Sequence, residues 1–136
     1  MRLVLAGVAI ALVSIGSCAS NPTGPGSLPL GQSFELRAGA SASVEGGLSM
    51  RFDSVSSDSR CPMDAVCVWA GDATLTLRLS HRSNSPATNE LHTQPSGSEL
   101  VYSDYRIKLV SLSPYPRSDR RIQPGDYVAT INVSVK

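Results

Sequence analysis

The chain has 136 residues, with 12 basic and 11 acidic side chains and a formal net charge of +1. A general nucleic-acid binder should be strongly basic, so this balance excludes that class. Residues 31–136 have the usual size of one domain and contain no internal repeat, so we expect a single domain after an N-terminal segment.

The chain opens like a secretory signal. Arg2 is followed by an apolar run, Leu3 to Ile15, which is shorter than the roughly 20 residues of a transmembrane helix. Ile15-Gly16-Ser17-Cys18 resembles a lipobox, in which the cysteine is lipidated. We therefore expect residues 1–17 to be removed, and Cys18 to carry diacylglycerol and acyl chains such as palmitate that hold the protein on a membrane. The alternative is an ordinary signal peptide with a nearby cysteine.

The sequence from the predicted lipid site onward indicates the net charge of the mature chain, its membrane and its tether. Removal of Arg2 leaves 11 basic and 11 acidic side chains, a net charge near zero. Ala19 follows the cysteine at the position where aspartate would retain a Gram-negative lipoprotein in the inner membrane. By resemblance to that sorting rule, we expect the outer membrane, facing the periplasm. Residues 18–30 are rich in proline and glycine and are predicted to form a flexible tether.

Apolar side chains in the domain recur at every second residue, which is typical of β-strands. The clearest run is 67–79, where every odd position is apolar or small. A straight strand of this length would span roughly 43 Å, so we expect a bend or bulge at Ala70-Gly71-Asp72. Residues 127–135 repeat the alternation and predict a last strand.

Shorter patterns predict the other strands. Apolar faces at 48–52 and 105–109 are each followed by a slip of one residue, at Val55 and at Val110-Leu112. Each slip predicts a bulge. Short strands are also predicted at 33–37 and 88–93.

Six or seven strands separated by turn residues indicate an all-β fold. The prediction is a small antiparallel β-sandwich, immunoglobulin-like, or a small barrel. Pro124-Gly125-Asp126-Tyr127 precedes the last strand and resembles the tyrosine corner of immunoglobulin-like sandwiches.

Two cysteines, Cys61 and Cys67, remain after lipidation of Cys18. An oxidising compartment normally joins such a pair, and redox motifs normally have two intervening residues at a helix start, not five before a strand. We predict a structural disulfide, with redox or metal chemistry as the alternative. Trp69 would share a strand face with Cys67, so we predict a core tryptophan packed against the disulfide, with ligand stacking as the alternative.

The motifs around these cysteines resemble those of a protein family. Asp58-Ser59-Arg60-Cys61-Pro62 and Cys67-Val68-Trp69-Ala70-Gly71 are similar to a signature of small bacterial lipoproteins and secreted proteins, most of them uncharacterised. The resemblance extends over residues 31–136, including the late tyrosine strand. It implies common descent but brings no established activity, so no catalytic residue is carried over.

Four aspartates, Asp53, Asp58, Asp64 and Asp72, lie in or near this signature. They lack the spacing of a calcium loop, so calcium binding would need Asp58 and Asp64 to converge. The simpler interpretation is that Asp58 and Asp64 cap turns, and that Asp58 or Asp53 pairs with Arg60 near the surface. The candidates for binding in this segment are Asp58, Arg60, Asp64, Trp69 and Asp72.

The remaining motifs predict no cofactor and no catalytic residue. His81 and His92 lie at predicted strand ends, and their spacing with the cysteines is not that of a zinc site. No nucleophile elbow, phosphate-binding glycine loop or dinucleotide fingerprint occurs in the sequence. Arg117-Ser118-Asp119-Arg120-Arg121 is a basic cluster, which we interpret as solvated surface, with contact to an anionic surface or acidic partner as the alternative.

These features favour a non-catalytic binding module. We expect a monomeric envelope lipoprotein, held to the membrane by its lipid, which binds an envelope protein or a cell-wall component through loops at one end of the domain. One alternative is a metal-binding or hydrolytic site built around the segment Asp58 to Asp72. The other is an inhibitor of a secreted hydrolase, which is an analogy from the fold.

Overall fold

The computed structural model describes residues 26–82 and 84–136. In this part of the chain eight strands form two antiparallel sheets of four, so the fold is a β-sandwich and not a closed barrel. Short 3₁₀ turns cover Pro95–Gly97 and Pro124–Asp126. The strands are β1 (Ser33–Arg37), β2 (Ser41–Val44), β3 (Leu48–Asp58), β4 (Ala73–His81), β5 (Asn84–His92), β6 (Glu99–Tyr102), β7 (Tyr105–Ser113) and β8 (Val128–Val135).

The strands follow an up-and-down order. One sheet has the order β1-β8-β7-β6 and the other β2-β3-β4-β5. Consecutive strands pair within a sheet except from β1 to β2 and from β5 to β6, where the chain changes sheet. An up-and-down barrel has the same strand order, but here β1 does not pair with β2 and β5 does not pair with β6. The connections also differ from the Greek key of immunoglobulin domains. The sequence pattern missed the short strands β2 and β6.

The period-two alternation puts one face of each central strand into the core. Alternate side chains of β4 and β8 are fully buried, and the residues between them are at least partly exposed. Branched aliphatic and aromatic side chains suit this pleated, half-buried surface. The largest fully buried side chains are Phe52, Leu48, Met50, Leu75, Leu77, Leu79, Leu91, Ile107, Ile131, Val44 and Val133.

The predicted bulges are confirmed. The pairing of β3 with β4 shifts between Phe52 and Ser54 and again between Val55 and Ser57. The pairing of β7 with β8 shifts between Leu109 and Ser111. An extra residue of this kind bends its strand and increases the local twist.

The prediction that a strand starts at Cys67 is wrong. Strand β4 begins at Ala73, and 67–72 belongs to a loop. The backbone N–H of Cys61 donates to the carbonyl of Ala70 at 3.0 Å, and that of Ser59 to Asp72 at 2.7 Å. These bonds close the loop after β3, so its backbone does not keep the alternation of a strand.

Because successive strands run in opposite directions, four of the loops between strands lie at the same end of the sandwich. This end, which we name the disulfide pole, consists of the loops 38–40, 59–72, 93–98 and 114–127. His81 ends β4 at the opposite end, so the two predicted histidines, His81 and His92, lie at different ends of the domain.

The predicted signal peptide, the lipid site Cys18 and most of the predicted tether lie outside the described residues. At the end of the tether, Leu28 forms a parallel bridge with Val44, and the N–H of Gly31 donates to Val133 at 2.7 Å. Among the described residues, no helix has the length and apolarity needed to cross a membrane.

Candidate functional site

A disulfide closes the loop at the disulfide pole. Cys61 and Cys67 are bonded, with their Cα atoms 5.9 Å apart, which confirms the predicted pairing. A ring of this length removes conformational freedom from the unfolded chain and contributes about 2 kcal/mol in the chain-entropy account. The segment 59–72, which we name the disulfide loop, is thus held at its base by backbone hydrogen bonds and within itself by a covalent link.

Arg60 lies beneath the disulfide loop and is buried, with only 4% of its side chain exposed. Its Nε and Nη2 donate to the two carboxylate oxygens of Asp58 at 2.8 and 2.6 Å. Nη1 donates to the carbonyl of Leu112 at 2.7 Å and Nη2 to that of Pro114 at 3.0 Å. The guanidinium also lies 4.9 Å from the centre of the Tyr115 ring. Arg60 therefore joins the disulfide loop to the end of β7.

The Asp58–Arg60 pair was predicted near the surface with Asp53 as a possible partner, and the structure corrects both points. Asp53 instead contacts Arg51 at 2.8 Å and Arg78 at 2.9 Å on the exposed face of the sheet. The carboxylate of Asp58 is only 10% exposed. A buried charge needs a partner with good geometry, and the fork of Arg60 supplies it.

Tyr127 completes this buried group. Its hydroxyl donates to Oδ2 of Asp58 at 3.0 Å, whereas in a tyrosine corner the hydroxyl bonds to the backbone a few residues upstream. Burial alone would raise the pKa of Asp58, but the hydrogen bonds and charge of Arg60 outweigh it and hold the pKa below its usual value. Burial and the bond to Asp58 raise the pKa of Tyr127 to about 12.

Asp64 fixes the disulfide loop to the neighbouring loop. Its carboxylate accepts the backbone N–H of Ser118 at 2.9 Å and the hydroxyl of Ser118 at 2.5 Å. These bonds hold the pKa of Asp64 below its usual value. The backbone N–H of Met63 also donates to Pro116 at 2.9 Å. The disulfide loop and the loop 114–127 therefore form one connected surface.

Asp72 binds the loop 93–98, which follows β5. Its carboxylate accepts the N–H of His92 Nδ1 at 2.7 Å, the hydroxyl of Thr93 at 2.9 Å and the backbone N–H of Gln94 at 3.0 Å. Burial raises the pKa of Asp72, but these bonds, that of His92 first, outweigh it and lower the pKa. The arrangement orders the turn after β5 around one carboxylate, as an Asx-type cap does.

The Asp72–His92 pair also resembles two members of a hydrolytic triad. Among the described hydrogen bonds, the only hydroxyl on the His92 ring is that of Thr74, at 3.4 Å from Nδ1, the nitrogen that already bonds Asp72. A triad needs its nucleophile on the other ring nitrogen. The described contacts therefore supply an oriented histidine without a nucleophile.

The candidate calcium site requires Asp58 and Asp64 to converge, and the structure directs them to different partners, Arg60 and Ser118. Within 26–82 and 84–136, no three histidine, cysteine, aspartate or glutamate side chains lie close enough together to hold a metal ion.

Trp69 is exposed, and the prediction of a core tryptophan is wrong. Its relative exposure is 82%, and Met63, Val66 and Val68 of the same loop are also exposed, Met63 the least at 69%. The error follows from the start of β4, because Trp69 lies four residues before the strand and is not on its inward face. We name the side chains of Met63, Val66, Val68 and Trp69 the apolar tip.

Gly71 explains part of the signature motif. Its φ is +72°, a left-handed conformation that glycine adopts at low cost, and a Cβ on it would lie 1.9 Å from the carbonyl oxygen of Ser59. The loop thus passes closely over the end of β3, and only glycine fits that crossing. The signature residues Asp58, Arg60, Cys61, Cys67 and Gly71 hold the loop, as does Asp72 after the signature, and Val68 and Trp69 are exposed on its surface.

Sequence reasoning missed several residues of the pole. Tyr115, Ser118 and the carbonyl of Leu112 contact the disulfide loop only because the fold brings them to it, and no local pattern marks them. Met63 and Val66 offered a weak signal, because they lie between the cysteines without the alternation of a strand.

A comparison of the chain with protein-family models, with curated proteins and with solved structures finds no match. The resemblance of the motifs to uncharacterised envelope proteins therefore stays a prediction, and the function has to be argued from the site itself.

Proposed function

We propose that this chain is a lipid-anchored protein of a bacterial cell envelope, attached through Cys18 to the outer membrane and facing the periplasm, whose sandwich is a non-catalytic binding module. The apolar tip is its contact surface, and the partner is an envelope protein with an apolar cleft. The observation that carries the proposal is the exposure of four large apolar side chains, with the only tryptophan of the chain among them, on one disulfide-closed loop.

Exposure of this kind favours binding because contiguous exposed apolar groups are unfavourable in water unless a partner covers them. Tryptophan is enriched among the residues that dominate binding energy at protein interfaces. A loop held by the disulfide and by Arg60 loses little conformational freedom when it binds, so more of the contact energy remains as affinity. The exposed apolar side chains and the constrained loop both support a preorganised contact that a partner covers.

The charge of the tip favours a protein over a lipid bilayer. The disulfide loop beyond Arg60 contains no lysine or arginine, and its two aspartates, Asp64 and Asp72, are bonded to Ser118 and His92. Peripheral membrane segments usually combine apolar with basic side chains. The arginines of the neighbouring loop 114–127 lie outside the tip, and the four side chains of the tip itself are uncharged, so they are complementary to an uncharged apolar cleft.

Site-specific photocrosslinking in the source bacterium tests this proposal with the full-length protein. A photoreactive amino acid replaces Val66 at the tip, or Val101 as a matched control, which is an exposed valine on β6 away from the pole. We expect one protein adduct of defined mass from position 66 and none from position 101. Trp69→Ala in the same chain should abolish the adduct.

The partner identified from that adduct is then purified and its affinity measured by calorimetry. If Trp69 is a hot spot, Trp69→Ala should weaken binding by at least about 2 kcal/mol, roughly a thirtyfold change in Kd. Adducts with lipids only, or protein adducts that are equally strong from positions 66 and 101, would contradict a protein partner at the tip.

Inhibition of a secreted hydrolase is the second candidate function. The observation that favours it is an exposed apolar tip on a loop held by a disulfide, because pre-organised partners such as protease inhibitors change little in shape on binding. If the partner is a hydrolase, the wild-type protein should reduce its activity in proportion to occupancy of the complex, and Trp69→Ala should not. A partner whose activity is unchanged at saturation excludes inhibition and leaves the binding module.

A further inference from the structure

A second feature of the disulfide pole lies beside the tip. The segment 114–126 folds around a cavity of about 250 Å³, and its lining includes three arginines, Arg117, Arg120 and Arg121, together with Tyr115, Ile122 and Asp126. The three arginines of the basic cluster are exposed, as expected for a solvated surface, and they line the same concavity.

The positive charge of this cavity is largely uncompensated. Arg117 contacts Asp119 at 3.2 Å, and both side chains are exposed, so the pair is weak. Among the described residues, Arg120 and Arg121 form no ion pair. The cavity has one carboxylate, Asp126, whose Oδ2 already accepts the backbone N–H of Gln123 at 3.3 Å. Like charges held together repel each other, and a bound anion would relieve that repulsion.

The arginines are also placed by the backbone. Arg117 and Arg120 form an isolated antiparallel bridge, which closes a tight turn between them. Ser118 within this turn is bonded through its N–H and its hydroxyl to Asp64. The turn is thus fixed to the disulfide loop, and the backbone that carries Arg117 and Arg120 does not need to be ordered when a ligand binds.

We propose that this cavity is a binding site for a phosphate group. Guanidinium groups bind phosphate oxygens in pairs, and a tetrahedral dianion offers oxygens to more than one guanidinium at once. Tyr115 and Ile122 provide an apolar wall for an organic substituent on the phosphate. The group belongs either to a free phosphate or phosphate ester or to a lipid headgroup. The site is separate from the apolar tip and does not depend on the function proposed for it.

Isothermal calorimetry of the full chain in non-ionic detergent tests the site, with inorganic phosphate as the probe. We expect saturable binding that Arg120→Gln with Arg121→Gln weakens about tenfold or more, because charge-assisted hydrogen bonds are lost. Arg106→Gln is the matched control, since Arg106 is an exposed arginine on β7 paired with Glu99 at 2.7 Å. Arg106→Gln should leave phosphate binding unchanged. Asp126→Asn should strengthen phosphate binding, because it removes the carboxylate that repels the anion.

Two further probes identify the chemistry and the source. Acetate should bind more weakly than phosphate, and equal affinity would overturn the assignment to phosphate. Tighter binding of short-chain phosphatidic acid than of glycerol phosphate would identify a lipid headgroup, whereas equal binding would identify a free phosphate or phosphate ester. Absence of saturable phosphate binding, or binding that the double arginine variant leaves intact, would overturn the proposal. Trp69→Ala should not affect it, which separates this test from that of the tip.

Discussion

Arg60 and Asp58 form the buried ion pair on which the disulfide pole depends. Removing one partner of such a pair leaves the other charge buried without compensation. Arg60→Leu should therefore lower the free energy of unfolding by about 3–5 kcal/mol, and it also takes a donor from the carbonyls of Leu112 and Pro114. Urea unfolding at neutral pH, followed by circular dichroism, measures the loss.

The exposed Arg78–Asp53 pair provides the control, because 59% of the Arg78 side chain is accessible. Arg78→Gln should lower the free energy of unfolding by less than about 1 kcal/mol. If Arg60→Leu costs no more than Arg78→Gln, the Asp58–Arg60 pair does not stabilise the fold as its burial indicates.

Tyr127 gives the domain a pH dependence on the alkaline side. Its pKa is raised from 10.0 to about 12 in the folded protein, so folding favours the neutral phenol. This contribution is fully present below pH 10 and is lost as the pH rises towards 12, because the phenolate cannot donate to Asp58. Tyr127→Phe has no phenol to titrate and should lose less stability across that interval.

Urea unfolding at several pH values within the interval compares Tyr127→Phe with the wild type and with Tyr115→Phe, an exposed tyrosine of the same pole. At neutral pH, Tyr127→Phe should be less stable by about 0.5–1.5 kcal/mol from the lost hydrogen bond. If the free energies of unfolding of Tyr127→Phe and of the wild type fall by the same amount as the pH rises, the proposed role of the phenol is contradicted.

The disulfide loop, as an element, depends on the crossing at Gly71. Alanine at this position would place its Cβ 1.9 Å from the carbonyl oxygen of Ser59, a backbone atom that cannot move aside alone. The loop would have to lift, and the hydrogen bonds of Ser59 with Asp72 and of Cys61 with Ala70 would break. Gly71→Ala should therefore destabilise the protein strongly.

Gly39→Ala is the matched variant, since Gly39 has a similar φ of +86° and open space around its Cβ position. It carries only the strain of a left-handed backbone, about 1–2 kcal/mol. Thermal unfolding should show the larger loss for Gly71→Ala. Equal losses would mean that conformational strain, and not the close approach to Ser59, decides the conformation of the loop.

At the scale of the whole molecule, the core and the contact surface are separate. The two sheets bury their aliphatic side chains against each other, and Trp69 lies outside that core. Because Trp69 is the only tryptophan, its fluorescence reports the tip alone. We expect emission and quenching close to those of a solvated tryptophan, with little change on unfolding, whereas circular dichroism shows a cooperative transition.

Trp69→Ala should accordingly change the free energy of unfolding by no more than about 0.5 kcal/mol. A core tryptophan would lose about 3–5 kcal/mol. A blue-shifted, protected emission that moves to the red on unfolding would place Trp69 in the core after all.

Much of the sandwich could be predicted from the sequence alone. Alternation of apolar and polar residues is a local property, and it marked β1, β7 and β8 within a residue or two and the bulges in β3 and β7 by their phase slips. It also marked β4, but with a start at Cys67 where the strand begins at Ala73. The short separation of Cys61 and Cys67 likewise predicted the disulfide, because a close pair meets without help from the rest of the fold.

Only the tertiary structure decided which side chains of the signature are buried and which are free. Arg60 is buried because the end of β7 brings the carbonyls of Leu112 and Pro114 to it, and Trp69 is exposed because the loop closes before β4 begins. Asp64 meets Ser118 more than fifty residues away in the chain. Such contacts depend on the packing of separate strands, whereas the alternation that predicts a strand is fixed within a few neighbouring residues.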